Sequence, residues 1–291
     1  MSVSLESVDV RMLNVGYAWH DGDWNWKNVC SPITRIYYVT EGEATIRLPE
    51  KSVRLRPDHL YIIPANTVHS YECDGPFAHY YLHAFTSSEG YINLFNYYDL
   101  PTEVPAEHMD KEIFMHMCQR HPEAKLPSSD PSSYEEGDLF ESYVRRYSEM
   151  PLHEKALLKG LVFILLSRFL KQATYRSSVM DKRIEKALEY IDRNICNEIN
   201  LDILSNLSCV TKPYFIRLFK AALDTTPMQY INKKKVEKAQ LLLITTDKTV
   251  QEVSYVIGIL DHSYFIRLFK KVCGVTPQEY RNRMKRVMSG V

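Results

Sequence analysis

The sequence has little that would mark a secreted or membrane-bound protein. Its six cysteines form no CxxC pair and follow no regular spacing, a pattern typical of reduced thiols in the cytosol rather than of disulfides. The chain opens without a signal-peptide pattern. Its most apolar run, GLVFILLSRFL, starts at Gly160, is interrupted by Arg168, and is far shorter than the roughly 20 residues of a membrane span. These absences predict a soluble, cytoplasmic protein.

Net charge is also absent, but the charges are unevenly distributed. Residues 1–175 hold 16 Lys and Arg against 24 Asp and Glu, whereas residues 176–291 hold 20 against 12. With 291 residues, 45% of them hydrophobic, the chain can form two ordinary domains. We expect an acidic domain followed by a basic one, and a basic domain is suited to contact with phosphate.

The basic half contains the sequence YFIRLFK twice, at Tyr214–Lys220 and at Tyr264–Lys270. Downstream of each copy a Thr-Pro pair recurs, typical of a helix N-cap followed by proline in the first turn. Thr211 and Asp261 can cap the two repeated helices, and Gly258 permits a tight turn before the second. The pattern predicts two helix-turn-helix units, at 200–223 and 249–273.

Within each repeated helix, the apolar spacing separates a buried face from an outer face. Phe215, Leu218 and Phe219 are spaced i, i+3, i+4, as are their counterparts in the second copy, so we expect both sets in the core. An exposed Ile beside an Arg suits the major groove, where Arg binds guanine and an aliphatic group meets a thymine methyl. The outer face predicts DNA contacts by Lys212, Pro213, Ile216, Arg217 and Lys220 and by His262, Ser263, Ile266, Arg267 and Lys270.

A single helix is predicted to join the two units. The stretch from Pro227 to Thr245 has helical periodicity, and Lys233–Lys235 fall on its wetter side. About 19 residues span ~28 Å at 1.5 Å per residue. Adjacent major grooves on one side of B-DNA lie roughly 34 Å apart. The linker helix can therefore hold two recognition helices in neighbouring grooves.

Residues from about 181 to 286 resemble the DNA-binding domain of the AraC/XylS family of transcription regulators. The second motif, VIGILDHSYFIRLFKKVCGVTPQEYR, carries most of the likeness, and INLDILSNLSCVTKPYFIRLFK stands in place of the first. Ile259, Ser205 and Ser254 depart from the family's usual residues at packing positions. The resemblance implies a double-stranded DNA partner, cooperation with RNA polymerase, and base-reading positions that coincide with the outer face. It favours an activator that responds to an effector.

The acidic half has the pattern of short strands. From Pro32 to Phe85, β-branched and aromatic residues are interrupted every eight to ten positions by Gly, Pro, Asn or Asp, which predicts a sandwich or small barrel. The segment RPDHLYIIPANTVHSY resembles the cupin-like sensor domain, a double-stranded β-helix, of the same family. We therefore expect an α+β protein of two domains: a β-barrel with helices, followed by an all-α DNA-binding domain.

The barrel is a candidate binding site for a small effector. Stacking aromatics with a few polar groups suit a sugar or another polar cyclic molecule, although the same aromatics can simply fill a small barrel. Trp19, Trp24 and Trp26 lie in a segment that can close over the mouth. The predicted effector-binding residues are Trp19, Trp24, Arg35, Tyr37, His69, Tyr81 and His83.

The sequence gives little support to metal binding or catalysis. A metal-binding cupin normally has an HxH pair, but the matching stretch here is RIYYVTEGE, and only His69 stands at the place of the later ligand. His79 and His83 lie among aromatics and are expected to be core residues. We predict no enzyme, metal or cofactor. Two alternatives stay open: a cupin-type metalloenzyme fused to a DNA-binding domain, and a regulator without an effector.

The region between the two domains predicts a dimer. A short helix near 110–119 and a surface loop near 121–133 precede a helix at about 152–173 that is apolar on more than one side, so a second copy of the chain is expected to cover it. The predicted domains are 1–150, a dimerisation helix at 151–175, a linker at 176–180 and the DNA-binding domain at 181–291. The predicted dimer contacts are Leu158, Leu161, Val162, Leu165 and Phe169.

Overall fold

The computed structural model describes residues 8–86, 94–131, 137–175 and 181–286. The chain forms two compact units, one of strands and helices and one that is mainly helical. The predicted linker at 176–180 lies outside the described residues, as do the last two residues of the predicted surface loop, 132 and 133.

The division differs from the predicted domains in two segments. The first unit consists mainly of Val10–Phe85 and Leu100–Ala173, so the helix predicted as a separate dimerisation segment packs within it. The second unit combines Thr174–Arg283 with Thr86–Asp99. The latter segment, predicted to be part of the sensor domain, is therefore grouped with the helices.

Two antiparallel sheets form the centre of the first unit. The strands of the described residues are β1 (Val10–Asp21), β2 (Trp26–Val29), β3 (Thr34–Gly42), β4 (Ala44–Arg47), β5 (Ser52–Leu55), β6 (His59–Ile63), β7 (His69–Glu72), β8 (Pro76–Thr86), β9 (Tyr98–Asp99), β10 (Glu103–Pro105) and β11 (Thr174–Tyr175). One sheet has the order β1-β8-β3-β6-β10 and the other the order β2-β7-β4-β5. The two sheets are not closed by hydrogen bonds in this part of the chain, and the arrangement is that of an open jelly roll.

The register of the larger sheet aligns aromatic side chains on one face. Tyr37 of β3 is the direct partner of Tyr61 on β6 and of Tyr81 on β8. All three rings are buried in one core cluster, together with Trp24 of the β1–β2 connection. Because alternate residues of a strand share a face, His79 and His83 lie on the same side as Tyr81. This buried face forms the wall of the candidate effector site.

Helices flank the larger sheet. In chain order the helices of the described residues are α1 (Leu94–Tyr97), α2 (His108–Arg120), α3 (Gly137–Glu149), α4 (Leu152–Leu170), α5 (Lys182–Asn194), α6 (Leu201–Leu207), α7 (Lys212–Leu223), α8 (Pro227–Thr245), α9 (Val250–Val256), α10 (His262–Cys273) and α11 (Pro277–Arg286). Helices α2, α3 and α4 all contact β1. Arg168 of α4 reaches Asp110 at the start of α2, with 3.1 Å between Nε and Oδ1.

The packing of α4 changes the predicted dimer surface. Leu158, Val162, Leu165 and Phe169 are buried against the chain's own first unit, so they are not available to a second copy while the domain stays folded. Leu161 is half-buried and keeps accessible surface. The periodicity identified an apolar helix correctly, but it could not assign each apolar side to its partner.

The second unit has the predicted all-α core. Ile184, Leu188 and Ile191 of α5 pack with Phe215 and Phe219 of α7 in one buried cluster. Side chains at several helix N-termini accept backbone N–H groups, which satisfies donors that the first turn leaves unpaired; these caps are Asp181, Asn200, Thr226, Thr249 and Asp261. The expected fold class, an antiparallel sheet domain followed by a helical domain, is confirmed.

A short segment from upstream in the sequence joins the helical unit. Strands β9 and β11 pair there, with the rings of Tyr98 and Tyr175 5.0 Å apart. The hydroxyl of Tyr97 donates to Asp192 of α5 at 3.4 Å, and both residues are buried. This burial and the Asp192 charge raise the pKa of Tyr97. None of the described helices has the length and apolarity required to cross a bilayer.

Candidate nucleic-acid interface and effector pocket

Both predicted helix-turn-helix units are present, and their turns differ by one residue. Helix α6 ends at Leu207 and α7 begins at Lys212, whereas α9 ends at Val256 and α10 begins at His262. Cys209 and Gly258 hold the left-handed position of each turn, with φ of 52° and 67°. The additional residue of the second turn is accommodated around Leu260, which is 75% exposed.

The caps of the two repeated helices also differ. Asp261 accepts the backbone N–H of Tyr264 at 2.9 Å, as predicted. Thr211 makes no side-chain cap hydrogen bond, so its predicted capping role is wrong. Pro213 in the first turn of α7 removes a donor that a cap would otherwise satisfy, which reduces the need for one.

The structure places the predicted DNA-contacting residues on the accessible side of α7 and α10. The predicted residues that are exposed are, in the first helix-turn-helix, Lys212, Pro213, Arg217 and Lys220, and, in the second helix-turn-helix, Ser263, Arg267 and Lys270. Ile216, Ile266 and His262 are half-buried. The phenylalanines of both copies are fully buried, as expected from their spacing. The two helices therefore present matched Ile-Arg pairs at their surfaces.

The tyrosine that opens each repeat is not a core residue. Tyr214 and Tyr264 are 37% and 40% exposed. The guanidinium carbon of Arg217 lies 5.1 Å from the centre of the Tyr214 ring, a cation–π distance. The Tyr264 hydroxyl instead accepts a hydrogen bond from Asn232 of α8 at 3.0 Å. Tyr214 thus orients an arginine, and Tyr264 links its helix to α8.

Lys212 already has an acidic neighbour. Its Nζ lies 2.5 Å from Oδ1 of Asp202 on α6, and both side chains are largely exposed. An exposed ion pair contributes little to stability. Lys212 is therefore paired with a carboxylate in the protein alone, and a DNA phosphate can replace that carboxylate at low cost.

The linker helix α8 has the predicted bounds but not the predicted distribution of lysines. Lys233 is exposed, and Lys234 is half-buried beside Glu237. Lys235 is only 4% exposed, so its placement on the wetter side is wrong. Three successive residues on a helix point in directions about 100° apart, and the third of them faces the domain interior.

A cavity of about 250 Å³ opens in the first unit against the inner face of the larger sheet. Five of the seven predicted effector-binding residues line it: Trp19, Trp24, Tyr37, Tyr81 and His83. The lining also includes His20, Asp23, His79 and the segment Lys125–Ser129, which sequence analysis did not assign to the site. Because alternate residues of a strand share a face, the spacing of residues along β1 and β8 could have identified the two histidines.

Arg35 and His69 lie outside this lining, in a buried network beside it. Arg35 donates to Ser31 Oγ at 2.9 Å and to the Ile33 carbonyl at 3.3 Å. His69 Nδ1 donates to the Thr67 carbonyl at 2.7 Å, so Nε2 of the neutral ring accepts the Tyr71 hydroxyl at 2.8 Å. Burial, with a smaller contribution from Arg35, lowers the pKa of His69 to about 4. These two residues therefore lie behind the side chains that line the cavity and do not line it themselves.

His20 supplies an open hydrogen-bond acceptor in the cavity lining. Its Nδ1 is 3.0 Å from the Asp23 carboxylate, which can only accept, so Nδ1 carries the proton and Nε2 is left as an acceptor. Nε2 is buried and has no hydrogen-bond partner among the described residues. Burial lowers the pKa of His20 despite the opposing effect of Asp23, which keeps the ring neutral at pH 7.

His79 is a second neutral imidazole in the same lining. Burial, and then the neighbouring His20, hold its pKa well below the usual range. His79 is 2% exposed, so its predicted core position is confirmed, but its Nδ1 has no hydrogen-bond partner within the described ranges. The His20 and His79 rings stack with centres 5.5 Å apart, and Trp24 lies 5.0 Å from His79.

The segment Lys125–Ser129 forms the outer wall of the cavity. The backbone N–H of Leu126 donates to the Tyr81 hydroxyl at 2.7 Å. Gly16 allows this position, because a Cβ there would lie 2.2 Å from the Tyr81 oxygen. Of the three tryptophans expected at the mouth, Trp19 is 60% exposed at the rim, Trp24 is buried, and Trp26 packs against the core cluster without lining the cavity.

Within the described ranges, no group of three or more His, Cys, Asp or Glu side chains has a geometry suited to a metal ion. The cavity lining holds one ammonium group, that of Lys125, and one carboxylate, that of Asp23; its other polar side chains are three histidines, two serines and tyrosine hydroxyls. This set favours hydrogen bonding to a neutral polar molecule between aromatic rings.

Two family models match the chain. Residues 14–84 match an AraC-like ligand binding domain, and residues 204–283 match a helix-turn-helix domain. An uncharacterized HTH-type transcriptional regulator of Haemophilus influenzae is 22% identical over 77% of this chain and 77% of its own length. The lactose operon transcription activator of Staphylococcus xylosus is 25% identical over 36% of this chain and 37% of its own length. These matches point to a transcription regulator rather than to an enzyme.

The chain also resembles solved structures at low sequence identity. The fatty-acid-bound ToxT structure from Vibrio cholerae is 14% identical, covers 100% of this chain and 99% of its own, and has a TM-score of 0.49. The DNA-binding domain of AdpA in complex with a target DNA is 22% identical over 38% of this chain and 99% of its own, with a TM-score of 0.35.

Proposed function

Because the chain belongs to the AraC-type DNA-binding transcription regulators and carries their ligand-binding domain, we propose that it reads two successive major grooves with α7 and α10. A small effector in the cavity changes how the helical unit is presented to DNA, and transcription of nearby genes rises as a result. We place this regulator in the cytoplasm with chromosomal DNA and RNA polymerase, and its homodimer is part of the same proposal.

The observation that carries the DNA-reading proposal is the matched pair of Ile and Arg on the two recognition helices. Arg217 and Arg267 are exposed at equivalent places, each next to a half-buried isoleucine. An arginine fork binds guanine O6 and N7, and an aliphatic side chain meets a thymine methyl. The basic excess of residues 176–291 provides the phosphate contacts that any DNA complex needs.

Selection of DNA by the full chain from its own genome tests this proposal. The recovered fragments should share two short motifs whose centres lie about one helical turn, roughly 10 bp, apart. The two motifs should share a base-pair step, because Ile and Arg occur in both recognition helices. They should differ elsewhere, because the second helix has His262-Ser263 at the positions of Lys212-Pro213 in the first. A single short motif without a spaced second half would contradict the two-groove proposal.

For the effector, the cavity supports a neutral molecule rich in hydroxyl groups, such as a monosaccharide. Trp24, Tyr37 and Tyr81 provide ring faces, and His20 Nε2 provides an acceptor for a hydroxyl. Burial lowers the pKa of His20, His79 and His83, so none of these rings attracts an anion at pH 7. The Lys125 ammonium group in the lining is offset by the Asp23 carboxylate. A volume of about 250 Å³ suits a small ligand rather than an extended one.

Thermal unfolding with a panel of neutral monosaccharides, and with the corresponding sugar acids, tests the effector proposal. At least one neutral sugar should raise the melting temperature, and the rise should disappear in His20→Phe, which keeps the stacked ring but removes the acceptor. His108→Phe is the matched control, because His108 is exposed on α2. Stabilisation by the acids alone, or by no member of the panel, would contradict a neutral sugar.

A further inference from the structure

Lys235 is a buried lysine with three acceptors at its ammonium group. Its Nζ donates to the backbone carbonyls of Asn197 at 2.8 Å, Ile257 at 2.5 Å and Gly258 at 3.2 Å. A protonated lysine has three N–H donors, so each donor has a carbonyl. Burying an ammonium group is costly unless its donors are satisfied. Its position is therefore built into the helical unit rather than being the chance burial of a surface lysine.

The three carbonyls lie in two separate segments of the helical domain. Asn197 lies in the connection from α5 to α6, which leads into the first unit, whereas Ile257 and Gly258 form the turn between α9 and α10 in the second. Lys235 itself lies near the middle of α8, the helix that joins the two units. One side chain of the linker helix thus bonds to the turn of the second helix-turn-helix unit and to the connection that leads into the first.

An independent feature shows how closely the two units meet at this point. Gly258 has φ of 67°, and a Cβ at this position would lie 2.5 Å from the carbonyl oxygen of Cys196 and 2.9 Å from the carbonyl carbon of Asn197. Only a hydrogen fits between the turn and the α5–α6 connection. The Lys235 ammonium therefore bridges two backbone segments that are already in contact.

This contact bears directly on the recognition helix. Helix α10 begins at His262, four residues after Gly258. Anchoring the turn therefore fixes where α10 starts relative to the first helix-turn-helix. We propose that Lys235 is a positioning residue that sets the separation of α7 and α10, and thereby the number of base pairs between the two half-sites. The inference rests on the proposed reading of two grooves, and it adds a residue that touches no DNA.

A positioning role differs measurably from a purely structural one. If Lys235 only stabilised the domain, its loss would weaken binding to every DNA site by the same factor. If it sets the separation of the helices, its loss would reduce the preference for the correct spacing over sites with a base pair added or removed. The ratio of affinities for correctly spaced and shifted sites is therefore the informative quantity.

The experiment uses the full chain and the two-part site that the wild type selects from genomic DNA, together with duplexes in which the spacer is lengthened or shortened by 1 or 2 bp. The affinity ratio should fall at least fivefold in Lys235→Met and be partly restored in Lys235→Arg, which keeps a cationic donor. Lys233→Met is the matched control, since Lys233 is exposed on the same helix, and its ratio should match that of the wild type.

The outcomes separate this inference from the proposal beneath it. A wild type that selects no two-part site overturns the two-groove reading, and the inference with it. A wild type with a clear spacing preference that Lys235→Met retains overturns the role of Lys235 alone. Circular dichroism and thermal unfolding establish whether each variant is folded before its affinities are compared.

If Lys235→Met does not fold, the wild type provides the same test through pH. Burial lowers the pKa of Lys235 to about 8, against smaller opposing effects of Cys196 and Glu198. Between pH 7 and 9.5 the amine loses a proton and can no longer serve three carbonyls, whereas the guanidinium of Lys235→Arg stays charged. Both proteins also carry Cys196→Ser, so that no thiol titrates beside the ammonium group. The ratio of affinities for correctly spaced and shifted sites should then fall as pH rises in the protein with Lys235 only. A parallel change in both proteins would overturn the inference.

Discussion

Single residues in the two YFIRLFK copies have different tasks although their letters are identical. The phenylalanines are buried in both copies, but Tyr214 contacts Arg217 whereas Tyr264 accepts a hydrogen bond from α8. The Tyr214 ring lies 5.1 Å from the guanidinium carbon of Arg217 and 5.4 Å from that of Arg183 on α5, both cation–π distances. The same position in the second unit ties the helix to its neighbour instead.

At this scale the arginines give the most direct prediction. Arg217→Ala and Arg267→Ala should each relax base preference in one half-site and weaken the selected site by about 1–3 kcal/mol. Binding-site selection with each variant measures the effect. Arg193→Ala is the control, because Arg193 is exposed in the same unit but paired with Glu189 on α5. Motifs that stay the same in both recognition-helix variants would show that the reading face is elsewhere.

His69 predicts how stability changes with pH. Its pKa in the folded protein is about 4, against 6.5 for an unperturbed histidine. Between these values the unfolded chain binds a proton that the folded chain does not, so the free energy of unfolding should fall as pH is lowered, by up to about 1.4 kcal/mol per pH unit from this group. Urea unfolding at pH 7 and pH 5 measures the loss.

The control for this prediction is an exposed histidine. His69→Gln should lose less stability than the wild type between pH 7 and pH 5, because one titrating group has been removed. His108→Gln, on the exposed surface of α2, should behave like the wild type. An identical loss in all three proteins would assign the pH dependence to other groups.

Among the elements, the turn between β3 and β4 shows how one position can limit a sheet. Gly42 has φ of 67°, and a Cβ there would lie 1.9 Å from the carbonyl oxygen of Pro76 at the start of β8. Both the backbone conformation and the lack of space exclude a side chain. The turn can therefore place β4 in the second sheet only while residue 42 is a glycine.

Substitution of this glycine has a close control in the same region. Gly42→Ala should lower the free energy of unfolding by more than about 2 kcal/mol, since strain and overpacking add. Gly75→Ala, one residue before β8, should be nearly neutral, because nothing lies within 4 Å of the added Cβ. Urea unfolding of the two variants compares them directly, and equal losses would contradict the argument.

For the whole molecule, the open question is the second copy of the chain. Helix α4 buries one side within its own unit, while Leu157, Leu161 and Ile164 remain half-buried on another side. These three residues follow one another at helical spacing and form an apolar stripe. A symmetric pair of such helices would cover both stripes at once, which supports the proposed homodimer with a revised set of contacts.

Sedimentation of the full chain tests the dimer. The wild type should sediment as a dimer and Leu161→Glu mainly as a monomer, because a carboxylate buried in an apolar interface is unfavourable. Leu152→Glu is the control on the same helix, where Leu152 is 82% exposed, and it should stay dimeric. Equal behaviour of the two variants would exclude this stripe as the interface.

Local patterns in the sequence were sufficient for much of this architecture. The spacing of apolar residues predicted both helix-turn-helix units and the linker helix from Pro227 to Thr245, because residues three and four apart share one face of a helix. Strand alternation and turn residues likewise predicted the sheet domain. The short helix expected near 110–119 extends from His108 to Arg120. These features depend on neighbours in sequence, so the sequence by itself determined them.

Tertiary structure decided what each face packs against. Lys235 meets a carbonyl 38 residues away, and Tyr81 holds a segment 45 residues away; no local pattern contains those distances. For the same reason Arg35 and His69 were assigned to the cavity in place of His20 and His79, and four residues of α4 were assigned to a dimer instead of to their own core. Periodicity defines the direction of a side chain from its own element, but its partner depends on how distant elements pack.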